Sequence, residues 1–276
     1  METRTGSGEG APRVRRWPRR FAVARWLGLS LLTAGLLLGG FVGYQLWGTS
    51  LIARHGQSGL RAELEQRTAA ASPAVIPYEP DPGRAPAPVA PPPGLRDLEQ
   101  ADLAAALEAA GLPPVSAPPE DASGAVLVAE APPPEGEALG RVRIPIAGVD
   151  WTVVEGVSPG DLRRGAGHMP GTALPGQPGN AVISGHRTTY GAPFYHLDRL
   201  APGDLITVTT VAGTHAYQVV RSMVVRPTEM WVTEQWQGSW LTLTTCHPRF
   251  SSRQRLVVVA RLVGGPNAAV LVEEAP

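Results

Sequence analysis

The sequence predicts an all-β barrel or sandwich of short strands with short helices, preceded by one membrane-spanning helix and a Pro-rich linker. Three observations carry this. An uncharged apolar run fills residues 26–47, prolines crowd residues 72–93, and from Leu139 onward short β-branched runs alternate with Gly, Pro and Asp turn signals. A length of 276 residues accommodates one ordinary domain with such appendages.

The first element is the anchor. Trp26 to Trp47 is dominated by Leu, Gly, Ala, Val and Phe, and its 22 residues make roughly 33 Å of helix, enough for a bilayer core. Trp26, Tyr44 and Trp47 sit at its ends, where amphipathic rings prefer the headgroup region. Seven arginines from Arg4 to Arg25 precede it against only Glu2 and Glu9, so residues 1–25 read as a cytoplasmic basic terminus. Everything beyond the span is then expected outside a plasma membrane crossed once. A cleaved secretory signal is the rival, but the apolar run is long and no clear small-x-small site follows it.

Residues 48–138 read as a largely disordered helical and Pro-rich stalk. Ser50 to Ala71 has helix-forming residues but little apolar face. Ser72 to Pro93 holds nine prolines, which remove backbone donors and favour extended chain. Leu95 to Gly111 places Leu98, Leu103 and Leu107 on a short amphipathic helix, and Pro118 to Gly136 completes the tether.

The β domain is expected over residues 139–264, with a tail at 265–276. Its candidate strands are Arg141 to Ile146, Asp150 to Val154, Ala181 to Ser184, Leu205 to Val211, His215 to Val225, Trp240 to Thr245 and Leu256 to Val263. Ala212-Gly213 marks a hairpin, and Ser158 or Asp161 caps a short helix.

Charge is balanced at 24 basic and 24 acidic residues, so no global field points to nucleic acid. Cys246 is the single cysteine, which excludes an intramolecular disulfide and a paired-cysteine metal site. By itself it reads equally as a small buried hydrophobe. Its position argues for more: it ends one candidate strand, and Arg255 opens the next across a short connection. An antiparallel pairing sets the two side by side. Only the thiolate attacks well, and a guanidinium supplies both a permanent charge and donors for an oxyanion. His186 follows the apolar run Gly179 to Ser184 and supplies a proton that cycles near neutral pH.

Thr242-Leu243-Thr244-Thr245-Cys246 followed by Arg255-Leu256-Val257-Val258-Val259 resembles the Thr-Leu-x-Thr-Cys signature and downstream Arg of the sortases. Gly179 to His186 resembles their His-bearing strand end. The likeness covers Leu139 to about Val263. His168 to Gly176 and Thr245 to Ser251 further resemble the actinobacterial class E subgroup. The resemblance implies a closed barrel of about eight strands and a cysteine transpeptidase. Cys246 would cut a C-terminal Leu-Ala-x-Thr-Gly or Leu-Pro-x-Thr-Gly signal of a secreted protein between Thr and Gly. A peptidoglycan-linked or pilin amine would then resolve the thioacyl enzyme. His186 would be the acid and base and Arg255 the oxyanion holder, with Thr245 adding a hydroxyl donor and Tyr190 lining the groove. No cofactor is implied, and no metal, since no acidic cluster of the calcium-binding kind stands in the sequence.

Other residues compete for these roles. Arg249 and Arg253 share the loop with Arg255, but Arg255 directly precedes the apolar strand. His168, His196, His215 and His247 read as structural or exposed. Strand alternation separates His247 from the thiol beside it. Trp231, Trp236 and Trp240 read as core packing, with a peptide-binding shelf as the alternative. The Ser-x-Gly-Cys pattern of L,D-transpeptidases is absent, and papain-like enzymes place Cys before His. A non-enzymatic scaffold on a stalk would require the His, Cys and Arg to be coincidental.

Overall fold

The computed structural model describes residues 19–77, 108 and 126–271 of the chain. It divides into two compact units, residues 1–45 and 46–276. In the first, helix α1 (Arg19–Gly43) is the one helix among the described residues long and apolar enough to cross a membrane, over Val23–Gly43. Regular α-helix stops at Gly43, short of the expected Trp47, and a π-helical turn (Tyr44–Gly48) follows.

The second unit is built on an eight-stranded closed barrel. Its strands are β3 (Ala138–Ile144), β4 (Val149–Glu155), β5 (Ala166–His168), β6 (Gly179–Ser184), β7 (Leu205–Thr210), β8 (Gly213–Val225), β9 (Ser239–His247) and β10 (Gln254–Gly264), while β1 (Ala74–Pro77) and β2 (Val126–Ala129) form a separate ribbon. Around the barrel the order is β10-β8-β7-β3-β4-β5-β6-β9, and β9 pairs with β10 to close it. β4 with β5 and β6 with β9 are parallel. The remaining neighbours are antiparallel.

Alternation along the strands fills the interior. Ile206 and Val208 of β7, Leu241 and Leu243 of β9 and Ile183 of β6 are buried there. Each side chain of that size stabilises the fold by roughly 1.5–3 kcal/mol. The hairpin turn is Val211-Ala212, with Thr210 paired to Gly213, one residue earlier than the sequence suggests. Helix α3 (Pro159–Arg164) begins at Ser158 with a complete capping box to Asp161. The first barrel strand ends at Ile144 because Pro145 opens a 3₁₀ turn. Trp236 and Trp240 are buried with Val257 and Val259 in a second cluster, against which Trp231 packs, so all three indoles belong to a core.

Three expectations need correction. Strand β5 is not among the candidate strands; it is three residues long, and its Gly167 is required because a Cβ there would run into the Gly156 carbonyl. Within the stretch read as stalk, helix α2 (Thr49–Ala70) packs on the barrel, with Ala53 and Leu60 fully buried. The segment after residue 264 is not a loose tail as far as Leu271: Asn267 is fully buried and donates to the Val128 and Gly176 carbonyls. The helix expected over residues 95–111 lies outside the described residues except for Glu108.

Candidate active site

The register of three strands builds the site. β6 and β9 run parallel with Ser184 opposite Thr244, and the Gly185 N–H continues the ladder to the Thr244 carbonyl at 3.0 Å. On the other side of β9, Cys246 is the cross-strand partner of Arg255. Cys246 and Arg255 are therefore neighbours across strands about 4.8 Å apart, and His186 lies two residues past the end of β6, the parallel neighbour of β9.

Alternation decides the face. Leu241, Leu243 and Thr245 point into the barrel, so Thr244 and Cys246 point outward. On that outer face Ser184 Oγ and Thr244 Oγ1 share a hydrogen bond of 2.8 Å, one row below the cysteine. The thiol is half-buried and free of disulfide.

Thr245 is a correction. Its hydroxyl is buried on the opposite face and donates to the Gly185 carbonyl at 2.7 Å, so it holds the strand end that carries His186 and offers no donor beside the sulfur. Tyr190 lies against the histidine, its ring centroid 5.0 Å from that of His186 and tilted by 40°. Its backbone has φ 51 and donates to Thr49 Oγ1 of α2 at 3.3 Å. The Arg163 guanidinium stands 5.8 Å over the same ring. Burial lowers the proton affinity of His186 below the ordinary histidine range, and the positive charge of Arg163 lowers it further.

Arg255 Nη1 donates to the carbonyls of Ser252 at 2.9 Å and Gln254 at 3.0 Å, so the guanidinium is turned onto its own loop. Arg249 is committed elsewhere, to both oxygens of Asp198 at 2.9 Å and over the Tyr195 ring at 4.5 Å. The side chain of Arg253 is exposed.

Three of the histidines read as structural or exposed have defined surroundings. His168 is buried, with Nδ1 2.7 Å from Glu155 and Nε2 2.9 Å from the Ala173 carbonyl. His215 is fully buried, and desolvation pushes its pKa down to about 4. His247 Nδ1 accepts from Arg187 Nη1 at 2.9 Å. Arg187 itself is the residue that sequence reasoning missed. It is 3% exposed, although a charged side chain next to a candidate histidine reads as solvated. Its place in the run Gly185-His186-Arg187 was the available signal.

The family model of the sortase domain matches residues 142–263, which include His186, Cys246 and Arg255. These residues form a sortase domain. Sortase SrtE1 of Streptomyces coelicolor is 32% identical over 158 residues, covering 49% of this chain and 45% of that protein. Sortase D of Bacillus subtilis is 32% identical over 117 residues, covering 42% and 58%. The chain thus spans about half the length of the curated relatives it matches. A solved sortase E mutant from Streptomyces avermitilis is 32% identical over a match covering 46% of this chain and 89% of that chain, with a TM-score of 0.42. The class E likeness of the His168–Gly176 and Thr245–Ser251 motifs agrees with these E-type relatives.

Proposed function

We propose that this chain is a cysteine transpeptidase that joins secreted proteins to a cell-wall amine. Its donor substrate is a C-terminal signal of the Leu-Ala-x-Thr-Gly or Leu-Pro-x-Thr-Gly kind. Cys246 gives its proton to His186, and the thiolate adds to the threonine carbonyl. Arg255 leaves the Ser252 and Gln254 carbonyls and turns its N–H groups to the developing oxyanion, exchanging neutral acceptors for a charged one. The imidazolium of His186 protonates the leaving glycine amine, and the C–N bond breaks to leave a thioacyl enzyme. An amine of a peptidoglycan precursor or pilin then loses its proton to His186, attacks the thioester and expels the thiolate. Tyr190, against the His186 ring, lines the groove beside it.

The observation that carries this reading is the cross-strand pair of Cys246 and Arg255 on β9 and β10, with His186 just past the end of β6, the parallel neighbour of β9. The arginine excess before the span supports a cytoplasmic N-terminus with the barrel outside the plasma membrane.

The test incubates the protein with sorting-motif peptides and an amine acceptor and follows the products by mass spectrometry. Expected are cleavage between Thr and Gly and a thioacyl adduct on Cys246. Cys246→Ala and Arg255→Ala abolish product, and His186→Ala nearly does. Turnover retained by Cys246→Ala sinks the mechanism.

A further inference from the structure

We infer that Arg187 is a positioning residue that sets the spacing between the sulfur of Cys246 and the ring of His186; the inference rests on the transpeptidase reading above. Its side chain is 2% exposed and lies between the two loops that carry the site. Nη1 donates to the carbonyl of Cys246 itself at 3.4 Å and to His247 Nδ1 at 2.9 Å. Nη2 pairs with Asp198 at 3.2 Å, and Asp198 pairs in turn with Arg249 at 2.9 Å. Arg249 closes the circuit by standing over the Tyr195 ring and donating to the Tyr195 carbonyl at 3.4 Å. Burial raises the proton affinity of Asp198, but the charges of Arg187 and Arg249 outweigh it and hold the carboxyl below its ordinary range.

The circuit ties the chain after His186 to the chain after Cys246 at several points. His186 precedes Arg187 directly, and the Phe194 N–H donates to the His186 carbonyl at 3.1 Å, so the same loop is braced on both sides of the histidine. For stability alone Arg187 is a poor choice. A buried guanidinium gives up its hydration, its Nε has no partner among the described residues, and its carboxylate partner is 38% exposed. An apolar side chain of similar size would fill the space. What it could not do is grip the Cys246 carbonyl and His247 together from one rigid plane.

The grip has a second consequence. Because an arginine can only donate, His247 Nδ1 is the acceptor and its ring proton is placed on Nε2.

The experiment uses the full chain in detergent, with Arg187→Met, Arg187→Lys and Arg187→Ala. Arg187→Met is expected to lower kcat about 100-fold, the loss typical of a displacement of roughly 1 Å between reacting groups. KM for the sorting peptide stays within about threefold, and the unfolding midpoint moves little because Asp198 keeps Arg249. Arg187→Lys recovers little, since an ammonium cannot span the same acceptors. Methylguanidinium restores turnover to Arg187→Ala. Nitrogen NMR of the wild type is expected to show the His247 ring proton on Nε2, with Nδ1 as acceptor. Wild-type kcat in Arg187→Met overturns the proposal, as does a loss of kcat that merely follows a fall in midpoint without rescue by methylguanidinium. If Arg187→Met does not fold, the rescue and the His247 tautomer decide. A wild type that forms no thioacyl adduct refutes the transpeptidase reading instead, and the tautomer still judges the grip on His247.

Discussion

Leu60→Ala separates two pictures of the segment between membrane helix and barrel, because they differ in the sign of the effect. On a free stalk helix the change is harmless, since Ala is at least as good a helix former as Leu. In the structure Leu60 is fully buried against Ala138 and Val154, with Leu64 packed beside them. The contact is reinforced by polar side chains of α2 that pair with strand backbone. Gln57 accepts from the Thr152 N–H at 2.8 Å and donates to its carbonyl at 2.9 Å. Glu63 accepts from the Ala138 N–H at 2.9 Å, and Arg67 donates to the Ala138 carbonyl at 2.9 Å. With neighbours held this way the site cannot collapse around a missing side chain, so the loss is about 3 kcal/mol, inside the roughly 2–5 kcal/mol range for buried Leu to Ala. For a domain of this size that corresponds to a fall of about 6–12 °C in Tm. Thermal unfolding of the full chain in detergent, followed by tryptophan fluorescence, reads it directly. A midpoint unchanged or raised in Leu60→Ala would refute the docking of α2.

Three further outcomes follow from single groups. Arg163→Gln removes a positive charge near His186 and raises its pKa toward the ordinary value, so the acidic limb of the kcat/KM profile moves to higher pH; an unmoved limb removes Arg163 from the electrostatics of the site. Burial holds His215 neutral in the fold with a pKa of about 4 against 6.5 for the solvent-exposed side chain, so its contribution is intact above pH 6.5 and is lost as pH falls toward 4. Between pH 7.5 and 4.5 this is on the order of 2–3 kcal/mol, and denaturant titrations should show the wild type losing that much more than His215→Gln. Thr245→Val leaves the Gly185 carbonyl without its hydroxyl donor, at a cost of about 1–3 kcal/mol. Its calorimetric midpoint should fall while Cys246 still forms the thioacyl adduct, and loss of the adduct in folded protein would give the hydroxyl a direct chemical role.

What could be read from the residues depended on how local the information was. Strands such as β7 and β9 are legible because Ile206, Val208, Leu241 and Leu243 alternate with threonines, and a period of two is a property of a short window. β5 carries no such pattern: Ala166-Gly167-His168 is a strand because β4 and β6 present their edges to it. The docking of α2, though not its helical character, escaped for a related reason. Its apolar face is small, and much of its attachment runs through Gln57, Glu63 and Arg67, which hydrophobic periodicity counts as solvent-facing.

The site divides along the same line. Cys246 and Arg255 meet across an antiparallel pair joined by a short loop, so their adjacency follows from sequence spacing. The strand end before His186 lies beside β9 only because β6 and β9 are parallel neighbours separated by β7 and β8 in the chain, a non-local pairing that periodicity could not supply. Arg187 lies at the far end of this scale. Its burial requires Asp198, His247 and the Cys246 carbonyl to converge from two loops, and only the closed barrel brings those loops together. A guanidinium that reads as solvated in the sequence but is buried against the Cys246 carbonyl in the fold is where local and tertiary preference conflict, and such conflicts are expected where a position serves geometry more than stability.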